Sequence, residues 1–85
     1  MPTTYVAVDV ETTGLNPSRD VIIEIAAITF REAAIVDEFA SLVNPLVDIP
    51  PFITQLTTIT NEMVADAPTL HTLRPRVRGK LGDNV

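Results

Sequence analysis

The run Tyr5-Val6-Ala7-Val8-Asp9-Val10-Glu11-Thr12-Thr13-Gly14 constrains this chain more than any other stretch. Tyr5 to Val10 is apolar and rich in β-branched valine. It ends in Thr-Thr-Gly and then Asn-Pro-Ser, which are turn residues, so a buried strand followed by a loop is expected. Asp9 and Glu11 stand two positions apart, and on a strand both side chains leave the same face, about 6–7 Å apart along the chain. Two like charges at the end of an apolar strand need compensation. The usual solution is a hard divalent cation with oxygen ligands, Mg²⁺ or Mn²⁺. Two such ions about 3.5–4 Å apart could hold a phosphodiester, one activating the attacking water and the other stabilising the leaving 3′ oxygen. A bare Asp-x-Glu is more often a solvent-facing acidic pair without a ligand, so the pair alone is weak and its context carries the weight.

The rest of the chain places this strand in an α+β or α/β domain. Val21 to Phe30 is a second apolar run, interrupted only by Glu24 and Thr29, and its Ile and Val content favours a strand. Glu24, an acid inside such a run, is expected to serve as a structural partner rather than in catalysis. Ala33 to Val43 is ambiguous. Composition and the spacing of Ala33, Val36, Ala40 and Val43 lean to helix, whereas the alternate set Ile35, Asp37, Phe39, Ser41 and Val43 would suit a strand. Asn44-Pro45 and Ile49-Pro50-Pro51 mark an extended loop. Short helices are expected at Phe52–Leu56 and from Thr60 as N-cap. A third should open at Pro68-Thr69 and run to about Lys80, stopping near Gly79 or Gly82. Pro75 should kink it or split off its first turn. Gly82-Asp83-Asn84-Val85 reads as a turn leading into a further strand.

Composition sets the outer limits. The 85 residues suffice for one small domain, with 46 % hydrophobic and 20 % charged residues. A domain of this size buries only about 60–65 % of its unfolded surface, so its stability is marginal. Cysteine is absent, which excludes disulfides and thiolate metal sites and leaves a lean towards the cytoplasm. No signal peptide and no membrane-length apolar run is evident. The net charge of −5 does not suit nonspecific coating of duplex DNA. Four of the six basic residues nevertheless fall at Arg74, Arg76, Arg78 and Lys80. Cations there suit a helix C-terminus, and nucleic-acid contact is the rarer reading.

Val6 to Leu15, followed by Asp20-Val21-Ile22-Ile23-Glu24-Ile25-Ala26-Ala27-Ile28, closely resembles the first motif of the DEDD (DEDDh-type) superfamily of 3′→5′ exonucleases. The likeness is strongest to the epsilon-type proofreading exonucleases of bacterial DNA polymerase III. Exonuclease domains of gram-positive replicative polymerases and of helicase fusions are similar too. Asn44-Pro45, Ile53, Leu56-Thr57-Thr58-Ile59-Thr60, Met63-Val64 and Ala67-Pro68 extend the resemblance over essentially the whole chain. It implies a ribonuclease H-like α/β fold, here the N-terminal half: a three-stranded β-meander followed by short helices, with Ala33–Val43 a strand. It also implies residues 1–85 as the N-terminal part of a single exonuclease domain, cut before the second and third catalytic motifs.

The resemblance makes Asp9 and Glu11 catalytic metal ligands for Mg²⁺ or Mn²⁺, in a two-metal site completed by residues outside this chain. Glu11 would also meet the 3′-terminal hydroxyl. Thr12 and Thr13 would hold the terminal nucleotide, partly through backbone N–H groups. Gly14 would let backbone approach the substrate, and Leu15 would pack against the terminal base. Thr58 stands where the family commonly has glycine, adding bulk and β-branching beside the presumed site. The implied function is removal of nucleotides from single-stranded DNA 3′ ends in proofreading or repair, with RNA used by related members. A polymerase or helicase partner or fusion is implied, and no membrane. His71 does not fit as the missing general base, because the family's histidine lies shortly before the last aspartate and no acid falls between Asp66 and Asp83. It is expected on a helix surface. Asp66 and Asp83 match no catalytic position.

Without a further strand beside it, Tyr5–Val10 would be an exposed apolar edge that invites self-association. Two of four carboxylates and no base should leave the chain inactive by itself. Two alternatives remain. One is a truncated or degenerate, non-catalytic module. The other is a haloacid dehalogenase-like phosphatase, whose Asp-x-Asp-x-Thr motif Asp9-Val10-Glu11-Thr12-Thr13 approaches.

Overall fold

The computed structural model describes residues 3–16 and 18–81. Three antiparallel strands form a meander in the order β1 (Thr4–Thr12), β2 (Ile22–Arg31), β3 (Ala34–Leu42). Three helices follow, α1 (Pro51–Thr57), α2 (Asn61–Ala65) and α3 (Leu70–Leu81). Ala34–Leu42 is therefore strand, as the resemblance implies, and not the helix that composition favours. Its helical spacing is overridden because Phe39 pairs with Ala27 and is buried against α3. Once one face of a sheet is covered, pairing outweighs intrinsic propensity.

Directly paired residues share a face of the sheet. Ile23, Ile25 and Ala27 of β2 point to the helices and are buried. Ile25 joins Phe39, Val43 and Leu73 in one cluster, and Ile23 joins Ile49, Ile53, Ile59 and Val64 in a second. The connections explain the helix boundaries. Pro50 and Pro51 start α1 with preset backbone angles and no N–H to satisfy. Thr60 caps α2 by accepting the Met63 N–H at 3.1 Å, and Thr69 accepts the Thr72 N–H at 3.3 Å ahead of α3. α3 is one helix that runs through Pro75, so no first turn splits off there, and Gly79 lies inside the helix. Burial of Leu73 and half-burial of Val77, one on each side of Pro75, hold the two halves to the same core. Gly82, Asp83 and Val85 lie outside the described residues.

Strand β1 is the sheet edge. Val8 and Val10 share the helix-facing side with Ala27 and Ile25, yet both stay exposed, because α3 packs on β2 and leaves them uncovered. Tyr5, on the opposite side, is 66 % exposed. The chain exposes 6181 Å² for 9.2 kDa, where a closed domain of that mass exposes about 4900 Å². Its radius of gyration is 14.3 Å, against about 12 Å for a compact chain of this length. Among the described residues, no helix is long and apolar enough to cross a membrane.

Candidate active-site cleft

At the end of β1 the chain leaves the sheet through a tightly bonded turn. The Thr12 hydroxyl donates to the Gly14 carbonyl at 2.5 Å. Thr13 is the one buried polar residue among those described, at 6 % exposure. Its N–H donates to the Val21 carbonyl at 2.9 Å. Its hydroxyl donates to Asp20 Oδ1 at 3.1 Å and accepts the Val21 N–H at 3.0 Å. Neither Gly14 nor Leu15 donates its N–H to a partner among the described residues, and the Leu15 side chain is fully exposed. Gly14 has a steric reason. A Cβ there would sit 2.5 Å from Asp20 Oδ2, so the close approach that requires glycine is made by the protein's own carboxylate.

This turn forms one wall of an open cleft of about 1120 Å³. Glu11 and Thr12 to Leu15 line it, together with Arg19 and Asp20. The opposite wall is Val47, Phe52 and Leu56 from the loop before α1 and from α1 itself. All three are exposed large apolar side chains. Sequence reading missed this wall. Its only signal was that Phe52 and Leu56 are apolar yet four apart on a helix whose buried residue is Ile53, so they could not share its face.

Asp9 and Glu11 lie on the same side of the sheet, opposite Ala26 and Glu24 in register. Glu11 reaches the cleft and Asp9 does not line it. Glu24, for which a structural partner is expected from sequence, sits directly across from Glu11 and forms no ion pair among the described residues. Like charges directly opposite each other are destabilising, so the pleat gathers Asp9, Glu11 and Glu24 on one side. The described residues do not bring three His, Asp or Glu side chains close enough to cage a metal ion. Asp9 and Glu11 do offer oxygen donors free of any basic partner among the described residues. That suits a hard divalent cation that takes one or two carboxylates and fills its other positions from substrate and water.

The remaining candidates fall elsewhere. Thr58 is the C-cap of α1 and does not line the cleft. His71 is exposed in the first turn of α3, and Asp66 caps the end of α2. Lys80 Nζ pairs with Asp37 Oδ2 at 2.9 Å, and the Arg76 guanidinium lies 5.0 Å from the Phe39 ring centroid. Asp37 is five residues from Leu42, the cleft-side end of β3, or about 16 Å. Lys80 and Arg76 thus brace α3 on β3, away from the cleft.

The sequence profile of the exonuclease family RNase_T matches residues 6–85. This chain belongs to the RNase_T exonuclease family. A PolC-type DNA polymerase III of Clostridium perfringens is 43 % identical over 95 % of this chain. The chain spans 6 % of that relative. Exonuclease X, solved in complex with 5′ overhanging duplex DNA, superposes with a TM-score of 0.75 at 33 % identity, over 85 % of this chain and 42 % of that one. The nuclease domain of 3′hExo, a DEDDh family member bound to rAMP, superposes with a TM-score of 0.78 at 26 % identity, over 89 % and 42 %. The chain therefore carries DEDD-type exonuclease sequence, with the three-stranded meander and short helices of the ribonuclease H-like nucleases. Membership in the exonuclease family, rather than a haloacid dehalogenase-like phosphatase motif, accounts for Asp9-Val10-Glu11-Thr12-Thr13.

Proposed function

We propose that residues 1–85 are the N-terminal part of a metal-dependent 3′→5′ exonuclease domain acting on DNA 3′ ends, and that they are inactive alone. The observation that carries this is the cleft, where Glu11 meets the Thr12–Leu15 turn opposite the apolar wall of Phe52 and Leu56. A terminal nucleotide fits such a groove. Its base would lie between Leu15 and the α1 side chains, and its polar edge would meet the N–H groups of Gly14 and Leu15. Thr13, fully engaged within the turn, would contribute by holding that backbone in place.

Asp9 and Glu11 would hold the divalent cation, and the carboxylate pair would be poised beside the scissile phosphate. When bound, Mg²⁺ or Mn²⁺ supplies Lewis-acid stabilisation of the phosphodiester under attack. Glu11, the acid nearest the turn, would accept a hydrogen bond from the 3′-terminal hydroxyl. The bare edge of β1 and the excess surface of roughly 1200 Å² over a closed domain are the reasons to expect that more chain completes the sheet and the site. Copies of the isolated chain should associate through that edge.

The test has two arms. Calorimetric titration of Mn²⁺ into the 85-residue chain should show binding that Asp9→Ala and Glu11→Ala abolish, with no release of nucleotides from single-stranded DNA. The full gene-encoded protein should shorten 3′-labelled single-stranded DNA with Mg²⁺ or Mn²⁺ and lose that activity in Asp9→Ala. Metal-independent cleavage, or cleavage that survives Asp9→Ala, would refute the reading. Mn²⁺ binding without activity in the full protein would favour a degenerate, non-catalytic module.

A further inference from the structure

Asp20 lies outside the acid pair, yet both of its carboxylate oxygens are bonded into the turn. One accepts the Thr13 hydroxyl at 3.1 Å and the other accepts the Asn16 N–H at 2.8 Å. The side chain is only 12 % exposed. Between these two anchors the carboxylate lies under Gly14, so close that a Cβ would meet Oδ2 at 2.5 Å and Cγ at 2.8 Å. Three features of the turn are thereby tied to one group: the rotamer of buried Thr13, the path of Gly14, and the point where the chain leaves for Asn16. The N–H groups of Gly14 and Leu15, which have no acceptor among the described residues, lie inside that clamp, and Asp20 itself borders the cleft.

We infer that Asp20 is a positioning residue that sets the Thr12–Leu15 backbone for the terminal nucleotide, without touching metal or substrate. The inference rests on the nucleotide-binding reading of the cleft. Its energetic logic is preorganisation. A turn held in its bound shape loses no ordering free energy when the nucleotide arrives, whereas a loosened turn must be ordered by the ligand. Glu11 belongs to β1 and is held by pairing with β2, so metal affinity should not depend on Asp20. Gly14 is the second half of the device. Its missing Cβ is the space the carboxylate occupies, so the two positions should be energetically coupled, as neighbours that share a contact are.

The experiment uses the full gene-encoded protein and four forms: wild type, Asp20→Ala, Gly14→Ala and the double variant. Mn²⁺ affinity, affinity for thymidine 5′-monophosphate with Mn²⁺ present, KM and kcat on a single-stranded oligonucleotide, and thermal midpoint are measured on each. Asp20→Ala and Gly14→Ala should each weaken nucleotide affinity and raise KM about tenfold, the loss expected of roughly one hydrogen-bond equivalent. Mn²⁺ affinity should stay within about twofold on the same physical ground, an acid pair held by strand pairing. In the double variant the second substitution should add little, because the Cβ no longer meets a carboxylate. Asp20→Asn, which keeps the shape and the Asn16 bond, should recover most of the affinity.

Unchanged nucleotide affinity in Asp20→Ala would overturn the inference. So would additive effects in the double variant, or a loss of Mn²⁺ affinity in step with nucleotide affinity, which would mark Asp20 as merely structural. If Asp20→Ala does not fold, Gly14→Ala and Asp20→Asn decide: wild-type nucleotide affinity in Gly14→Ala overturns the inference. A wild-type protein that binds Mn²⁺ but neither nucleotide nor DNA refutes the functional reading first, and the inference with it.

Discussion

Thr58 ends α1 at φ 65° and ψ 3°, in the left-handed region. Its N–H donates to the Thr54 carbonyl at 2.8 Å, which closes the helix with an αL cap, the position that most often carries glycine. The geometry is over-determined by its neighbours. The Thr54 hydroxyl donates to the Ile59 carbonyl at 2.8 Å, and the Ile59 N–H donates to the Thr57 hydroxyl at 3.2 Å. Ile59 is then buried beside Ile53 and Ile23. A β-branched residue is therefore forced into αL so that Ile59 can turn back to the core. An L-residue in αL costs about 1–2 kcal/mol, and β-branching places threonine at the upper end.

Thr58→Gly removes that cost and adds about 0.5–1 kcal/mol of lost chain entropy. The Thr58 side chain is exposed and makes no hydrogen bond among the described residues, so no contact is lost. The net gain should be about 1 kcal/mol, or about 4–8 °C in the thermal midpoint of a domain this size. Thr58→Ala, which keeps the Cβ but not the branch, should recover less. Circular-dichroism melts and urea unfolding of the three forms measure this directly. A glycine variant no more stable than wild type, or an alanine variant that matches it, would refute the assignment of strain to this backbone angle.

The β2–β3 hairpin carries a related strain, because Glu32 and Ala33 both have positive φ, 52° and 66°. The double substitution Glu32→Asn with Ala33→Gly supplies the residue types that tolerate such angles, and it should stabilise the chain by about 1–2 kcal/mol in the same urea series. Leu73→Ala opens a cavity under α3, where Leu73 is 1 % exposed, and should cost about 2–5 kcal/mol, enough to unfold the isolated chain as seen by loss of its far-ultraviolet signal. Lys80→Ala breaks the half-exposed pair with Asp37. Its effect should stay below about 1 kcal/mol and vanish in high salt, and a larger, salt-independent loss would show that α3 depends on that pair. Val8→Lys on the bare edge should reduce self-association in sedimentation velocity, since charge on an edge strand opposes pairing.

Several features were legible because they are local. Thr60 as an N-cap, the prolines before α1 and the apolar runs of β1 and β2 each depend on chemistry within a few residues. Asp9 and Glu11 shared a face as soon as a strand was assumed. The segment around Phe39 was not legible from composition, since its alanine and glutamate content favours helix and only pairing with β2 makes it a strand. No separate first turn splits off at Pro75, because the core contacts of Leu73 and Val77 lie on both sides of it.

Sequence alone settled which residues carry the acid pair and the turn, because a strand period of two and a run of turn residues need no partner to be read. It also marked Gly14 and position 58 as places where a side chain matters. Tertiary structure decided why. Gly14 is required by Asp20, a residue six positions away whose carboxylate folds under it, and position 58 matters for a backbone angle rather than for the cleft. The wall of Phe52 and Leu56 faces the Thr12–Leu15 turn only because the chain crosses the sheet twice before α1. Such juxtapositions depend on long-range packing, and no local pattern encodes them.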